Sequence, residues 1–282
     1  MTDTNSGISV SEGSENGIFV LPLPILIDEK DYTEGIDIDH QQIFAAMKEG
    51  RTVSTSQPST GALYRFWDDL LNHYDEIVYI PMTSGLSSSC DTAKSVAYDF
   101  NGRVAVVDNH RISMTLLDAV YDAKYLADEG MSAAMIQRRL ETDNRSLIYI
   151  MVNELKYIVK SGRITPAGAA VATVVGIRPI LKIEDGKLDA FDKGRGVKKC
   201  EEIMLRAAKD ELLRNYAGIE KSHIHIGVAG TMTDEAEVTA WIDKIRENFP
   251  GYHVAYRPLS CSIACHIGSG TKGISVGTVF RP

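Results

Sequence analysis

The feature that most constrains the fold is an apolar, β-branched run that ends in a loop rich in serine. The run covers residues 77–80, the loop covers residues 83–89, and a helical pattern follows from Asp91. A buried strand followed by a loop and a helix is typical of α/β proteins, which place ligands at the carboxyl ends of their strands. Hydroxyl and unpaired N–H groups at a helix start can bind an anionic head group. Alternatively, the serines only cap the helix, although one cap needs one hydroxyl and this loop has four serines and a threonine.

The order of the predicted elements divides the chain into two domains. Up to about residue 142, strands alternate with helices, which predicts a parallel sheet with flanking helices. Hairpin signals are mixed with helices after that point, and Asp185-Gly186 predicts a two-residue hairpin turn. We therefore predict an N-terminal α/β domain at residues 1–146 and a C-terminal α+β domain at residues 147–282. Residues 2–7 are predicted to form a polar turn, residues 53–61 a polar loop, and residues 167–175 a helix.

Composition excludes several classes of partner. With 30 basic and 38 acidic residues, the formal net charge is −8, so the chain has no overall basic field for nucleic acid. No apolar run approaches the roughly 20 residues that a membrane-spanning helix needs. The sequence thus predicts a cytoplasmic protein with no nucleic-acid partner and no integral membrane segment. Its four cysteines are too few for a disulfide framework in a chain of 282 residues.

The sequence can be compared with three enzyme motifs: the nucleophile elbow, the dinucleotide-binding fingerprint and Walker A. The sequence Gly85-Leu86-Ser87-Ser88-Ser89 lacks the second glycine of a G-x-S-x-G nucleophile elbow, although a triad is defined in space and stays an alternative. Residues 268–273 match G-x-G-x-x-G, but only nine residues follow, and a dinucleotide fingerprint should open an early βαβ unit. No Walker A string occurs. We predict no cofactor.

Two further groups of residues have both a structural and a functional interpretation. Cys261, Cys265 and His266 include metal-ligand types, but nothing nearby completes a zinc site, so buried thiols are favoured and no metal is predicted. His266, between apolar stretches and beside a glycine turn, is either a core histidine or a site residue. Arg163 lies in a turn, and Arg195 lies in the densest basic run, residues 193–199. Such a run is either a solvated helix start or a surface for an acidic partner or a nucleotide phosphate.

Five short motifs occur in an order that resembles the DegV family, the bacterial fatty-acid-binding proteins that carry the acyl chain for fatty acid kinase. They are TSQPS at residues 55–59, SGLS at 84–87, SGRI at 161–164, RPIL at 178–181 and HIGSG at 266–270. The resemblance covers nearly the whole chain. TSQP together with SGLS is specific, whereas the other motifs are individually weak.

The resemblance implies a two-domain lipid carrier that is not catalytic alone. One long-chain fatty acid is buried between the domains, and a separate ATP-binding kinase subunit phosphorylates its carboxylate for phospholipid synthesis. By motif, Thr55 and Ser87 resemble the carboxylate ligands, with Ser56 and Ser88 beside them, and His266 completes the network. Arg163 and Arg195 resemble the residues that present the head group to the kinase.

This chain departs from the family pattern at its start, where no strand is predicted before Thr2-Asp3-Thr4, and at Ser88, where glycine is usual. The alternative function is a serine-dependent esterase or hydrolase of a small acid or ester, with Ser87 as nucleophile and His266 as base.

Overall fold

The computed structural model describes residues 1–142, 145–165 and 176–281. Within these ranges the helices are α1 (Val10–Glu15), α2 (His40–Lys48), α3 (Thr60–Leu70), α4 (Ser89–Ala97), α5 (Ser113–Asp128), α6 (Ala133–Thr142), α7 (Leu155–Ser161), α8 (Val197–Asn215), α9 (Glu235–Asn248) and α10 (Cys261–Ile267). The strands are β1 (Thr2–Asp3), β2 (Val20–Leu21), β3 (Pro24–Ile27), β4 (Lys30–Thr33), β5 (Val53–Thr55), β6 (Ile77–Tyr79), β7 (Val104–Val106), β8 (Ser146–Met151), β9 (Ile177–Glu184), β10 (Lys187–Arg195), β11 (Ile224–Gly230), β12 (His253–Pro258) and β13 (Lys272–Thr278). The helix predicted at residues 167–175 lies outside the described residues.

The N-terminal part of the fold contains the predicted parallel sheet with flanking helices. β1 pairs with β2, β6 pairs with β7, and a bridge between Thr2 and Ile80 joins the two pairs, all in parallel. Because strand side chains alternate, Tyr79 packs beside Trp67 of α3, with ring centroids 5.6 Å apart. Ile80 instead packs into the core that α5 and α6 share. Helices therefore cover both faces and leave the carboxyl ends of β6 and β7 for the site.

Thr2 and Asp3 form a strand at the start of the predicted polar turn, and residues 4–6 then form a single 3-10 turn. Thr2 and Asp3 are fully buried, at 0% exposure. The Thr2 hydroxyl donates to the Ile80 carbonyl at 2.8 Å, and the Asp3 carboxylate accepts from the N–H groups of Asn5 and Met82 at 2.9 Å each. Polar side chains are tolerated there because each has a partner, and those partners at positions 80 and 82 are distant in sequence.

A small antiparallel sheet, in the order β4-β3-β5, replaces part of the polar loop predicted at residues 53–61. Thr55 pairs with Ile25 at the end of β5. Ser59 then begins α3, because its hydroxyl accepts from the N–H group of Ala62 at 3.1 Å. The pairing with β3 fixes the backbone position of Thr55.

The C-terminal part is α+β, as predicted. Its sheet has the order β10-β9-β8-β13-β11-β12, antiparallel except for the pair β11–β12. α8 contacts β8, β9, β10 and β13, while α5 contacts β11 and β13. Asp185-Gly186 forms the predicted turn, with φ of 49° and 74° between the paired residues Glu184 and Lys187. All six strands start at Ser146 or later, and the boundary between residues 146 and 147 stays a prediction.

Helix α10 is the main element that the sequence does not predict. It precedes β13, and its first turn is capped twice. The Ser260 hydroxyl accepts from the N–H group of Ile263 at 3.2 Å, and the buried Glu34 carboxylate accepts from the N–H group of Cys261. Burial raises the pKa of Glu34. These contacts place the end of the helix, and with it His266, against β5.

Candidate functional site

A cavity lies between the loops that follow β6 and β7 and the strands β8, β9 and β10. The space between its lining atoms is about 710 Å³, part of it open to solvent. Ile112, Ile150, Ile158 and Ile183 supply apolar walls. The polar lining includes Asn5, Thr55, Ser56, Ser87, Arg163 and His266. A few polar groups in a mostly apolar pocket is the usual composition of a small-molecule site.

Thr55 and His266 meet in this cavity although 211 positions separate them. The Thr55 hydroxyl lies 2.8 Å from Nε2 of His266. β5 carries the threonine at its last position, and α10 carries the histidine in its last turn. The pair is therefore held by two ordered elements, which fixes a hydroxyl and an imidazole side by side at the cavity wall.

The imidazole of His266 is kept neutral by its surroundings. Burial lowers the pKa of His266 to about 4, and the positive charge of Arg163 acts in the same direction. A neutral imidazole can both donate and accept a hydrogen bond, one at each ring nitrogen. Near neutral pH, the site therefore offers a hydrogen-bonding ring without a full positive charge.

Ser87 supplies a second hydroxyl to the cavity. Its oxygen lies 2.9 Å from the Ser89 hydroxyl and accepts from the Ser89 N–H group at 3.2 Å. Ser88 occupies the N-cap position of α4 but is exposed, and its side chain makes no capping hydrogen bond. The serines thus do more than cap a helix, because two of them, Ser87 and Ser89, line the cavity.

The serine loop is held in place by a close contact between two glycines. A Cβ atom added to Gly85 would lie 2.3 Å from the carbonyl oxygen of Gly186, at the tip of the β9–β10 turn. On the other side, the N–H group of Ser84 donates to Asp108 at 3.3 Å, and Lys94 pairs with that carboxylate at the same distance. The lowered pKa of Asp108 reflects the hydrogen bonds and the cation, which outweigh its burial.

Sequence reasoning missed a buried polar cluster beside the cavity. The Asn5 carbonyl oxygen accepts from Ser260 at 2.7 Å and from Ser262 at 2.5 Å. Asn5 and Ser262 also line the cavity. Their signal was weak, since Asn5 lies in the predicted polar turn and the serines flank Cys261. Only the burial of the run around Asn5 sets it apart from an ordinary turn.

Comparison with known proteins finds relatives over nearly the whole chain. The sequence model of the DegV family, described as uncharacterised proteins, matches residues 1–278. The chain belongs to the DegV family. A DegV domain-containing protein of Staphylococcus aureus is 26% identical over 281 residues, which cover 98% of this chain and 97% of that protein.

Solved DegV structures share the whole fold. A structure described as showing fatty acid binding of a DegV family protein from Thermus thermophilus has a TM-score of 0.86 and 27% identity, and covers 99% of this chain and 98% of that one. A stearic acid-binding protein from Eubacterium ventriosum has a TM-score of 0.87 at 20% identity, covering 98% and 97% of the two chains. At that lower identity the likeness shows the fold alone.

The mouth of the cavity in this DegV chain is an open, polar recess. Ser88 and Lys187 line the recess, whereas Ser87 and Arg163 line both recess and cavity. Nη1 of Arg163 donates to the Ser161 carbonyl at 2.7 Å. Three of the predicted head-group residues, Thr55, Ser87 and His266, line the same cavity. Ser56 also lines it but is exposed. Ser88 lines only the recess.

Arg195 does not reach this site. It is exposed at the last position of β10, directly before Gly196 and the start of α8. Lys187, which lines the recess, begins the same strand. At about 3.3 Å of rise per residue, the strand separates the Cα atoms of Lys187 and Arg195 by roughly 26 Å. Arg163 and Arg195 therefore belong to different regions of the surface.

The cysteines and the helices limit other kinds of site. Cys261 and Cys265 are buried and free, and burial raises the pKa of Cys261 to about 12. In the part of the chain that the structure describes, no three His, Cys, Asp or Glu side chains are grouped to hold a metal. No helix within the same ranges has the length and apolar character to cross a membrane.

The arrangement does not form a nucleophile–base pair. Ser87 and His266 both line the cavity, yet Ser87 bonds with Ser89 while His266 bonds with Thr55. An activated serine needs its oxygen within hydrogen-bond reach of the base. Among the described residues, no hydrogen bond joins Ser87 to His266.

Proposed function

We propose that this DegV chain binds one long-chain fatty acid, with its carboxylate beside Thr55, Ser87 and His266 and its tail along the isoleucine walls. The observation that carries the proposal is the Thr55–His266 pair with Ser87 at one cavity that is otherwise apolar. The hydroxyls and the neutral imidazole can donate to a carboxylate, and Ser56 and Ser88 lie close enough in sequence to extend this set. The Thermus thermophilus relative, described as fatty acid binding, supports the same ligand class.

The energetics divide the ligand into two parts. Each buried CH₂ contributes about 0.8 kcal/mol, so a sixteen-carbon tail gives on the order of 10 kcal/mol before ordering costs. A hydrogen bond contributes about 1 kcal/mol net, because the same groups bond to water when they are free. Tail burial therefore sets most of the affinity, and the polar groups set the orientation of the carboxylate.

The bound acid is presented to a separate kinase subunit, which uses ATP to form an acyl phosphate for phospholipid synthesis in the cytoplasm. The polar recess gives a route to the carboxylate, and Arg163 lies where cavity and recess meet. Its charge can stabilise the carboxylate, or the phosphoryl group that is transferred from ATP onto a carboxylate oxygen as ADP leaves. The carrier alone needs no nucleotide motif, and the sequence has no Walker A string.

The test is native mass spectrometry of protein purified from cells, combined with binding of a labelled fatty acid. We expect a retained fatty acid in one-to-one ratio. Thr55→Ala and Ser87→Ala should each weaken binding by roughly 1–3 kcal/mol, since each leaves a buried polar partner unsatisfied. Ser54→Ala is the matched control, because Ser54 is the exposed neighbour of Thr55 on β5.

Two outcomes would contradict the proposal. One is wild-type affinity in both cavity variants together with unchanged kinase-dependent turnover. The other is ester hydrolysis by the isolated protein that Ser87→Ala abolishes, which would establish the esterase instead. A carrier should produce acyl phosphate only when the kinase subunit and ATP are present.

A further inference from the structure

A second, inner cavity continues the first one into the core. Ile112, Ile150, Ile183 and Ile263 line both cavities, so the inner space lies directly behind the head-group site. It measures about 430 Å³ between its lining atoms, and its remaining walls come from the start of α5, from β8, β11 and β13, and from Leu259. If the proposed function holds, this is where the distal part of an acyl chain lies.

The lining of the inner cavity is apolar except for two serine hydroxyls. Ser113, the first residue of α5, is 9% exposed, and Ser275, in the middle of β13, is 5% exposed. Within the described residues, neither side-chain oxygen has a hydrogen-bond partner, although both residues line the cavity. Neither oxygen is among the fully enclosed side-chain atoms that lack a partner in the described residues, so each stays accessible from the cavity. Two accessible hydroxyls at one apolar space can each bond to a polar atom of a ligand.

The backbone opposite Ser275 makes room for its hydroxyl. Gly227 of β11 pairs with Ser275, and a Cβ atom added to Gly227 would lie 2.3 Å from the Ser275 oxygen and 2.5 Å from Cβ of Met114. Any larger residue at position 227 would displace the hydroxyl or the helix. Because Gly227 has no side chain, the Ser275 hydroxyl can lie against β11 on the face of the sheet that α5 and the cavity cover.

We propose that this chain selects an oxygenated acyl chain, a hydroxy fatty acid whose hydroxyl bonds with Ser113 and Ser275 in the inner cavity. The inference rests on the proposed function, since it assumes that the carboxylate lies at Thr55 and His266. A hydroxyl both donates and accepts, so one ligand oxygen can satisfy both serines. A hydrocarbon tail at the same place would leave both serines unpaired.

The test compares stearic acid with a series of monohydroxystearic acids, the hydroxyl moved stepwise along the chain, in a binding assay with delipidated protein. We expect one region of the series to bind about tenfold more tightly than stearic acid, the effect of roughly one well-placed hydrogen bond. Ser275→Ala and the double variant with Ser113→Ala should remove that preference while stearic acid binds at least as tightly as before. Both substitutions delete unpaired hydroxyls, so the fold should be retained. Ser54→Ala, on an exposed strand position, should preserve the preference.

The binding results distinguish selection of a hydroxy fatty acid from fatty-acid binding itself. If stearic acid binds but every hydroxystearic acid binds no more tightly, or if the preference survives in the double variant, the inner-cavity proposal is overturned and the carrier stands. If neither type of acid binds, the carrier function itself fails, and this inference fails with it.

Discussion

His266 shows how burial tunes one residue of the site. Its lowered pKa, about 4 against an ordinary 6.5, has a consequence for stability. Between those two values the unfolded chain binds a proton at His266 and the folded chain does not. The free energy of unfolding therefore falls as pH decreases through this window, and the contribution of a neutral His266 is fully present only above about pH 6.5.

The residue-scale prediction is a pH-dependent difference between wild-type protein and His266→Gln. In urea denaturation of lipid-free protein, the stability of wild type should fall relative to the variant as pH decreases from about 7.5 to about 4.5. Glutamine has no titratable group, so it removes only this part of the profile. A difference that stays constant over the whole range would show that His266 is not held neutral.

At the scale of elements, the serine loop depends on the turn between β9 and β10. Gly85→Ala places a Cβ atom 2.3 Å from the Gly186 carbonyl, a backbone atom that cannot rotate away. We expect a loss of roughly 1–3 kcal/mol in the free energy of unfolding and weaker fatty-acid binding, because a shifted loop moves Ser87. The control is Gly61→Ala in α3, where the nearest atom is the flexible end of Arg65 at 3.3 Å.

Urea denaturation and labelled fatty-acid binding check this element-scale prediction. Gly61→Ala should leave binding nearly unchanged and should not lower the free energy of unfolding, because alanine favours a helix over glycine. If Gly85→Ala matched wild type in both measurements, the contact between the loop and the hairpin would not position the site.

Elements with complete local signals could be predicted, and elements with distant partners could not. Asp185-Gly186 turns the predicted hairpin between Glu184 and Lys187, so nearby residues suffice to define it. β1 looks like a polar turn because its strand partners lie at residues 20–21 and at residue 80. α10 is short, and its N-terminal N–H group bonds to Glu34, 227 positions away.

Site residues in short local motifs could likewise be predicted, and site residues defined by distant contacts could not. Motif resemblance named Thr55, Ser87 and His266, and the structure brings them to one cavity. The motifs could not identify Ser113 or Ser275, because each is a single serine between two apolar residues and belongs to no local pattern. Their environment arises only when α5 packs on β11 and β13.

At the scale of the whole molecule, we predict that Arg195, which is distant from the recess, contributes to presenting the ligand and not to binding it. Arg195→Ala should leave fatty-acid binding and melting temperature nearly unchanged, because the side chain is exposed and remote from the cavity. It should lower turnover with the kinase subunit, most at low salt, where charge steering is strongest. Arg163→Ala, at the cavity, should affect both binding and turnover.

Two measurements distinguish Arg195→Ala from Arg163→Ala. They are steady-state acyl-phosphate formation at several salt concentrations and binding of the labelled acid. Lys30→Ala is the control, since it removes an exposed cation on β4, outside the basic run, and should leave turnover unchanged. Turnover of Arg195→Ala equal to wild type at every salt concentration would make Arg195 an ordinary solvated residue.

The separation of Thr55 and His266 by 211 positions also determines when the site can exist. During synthesis, the N-terminal sheet and the serine loop emerge long before α10, and strands β8 to β12 must be made in between. A growing chain therefore has half of the head-group site and an unfinished apolar wall. Under the proposed function, a fatty acid can reach its final place only after the ribosome has added His266, so we expect loading to follow synthesis.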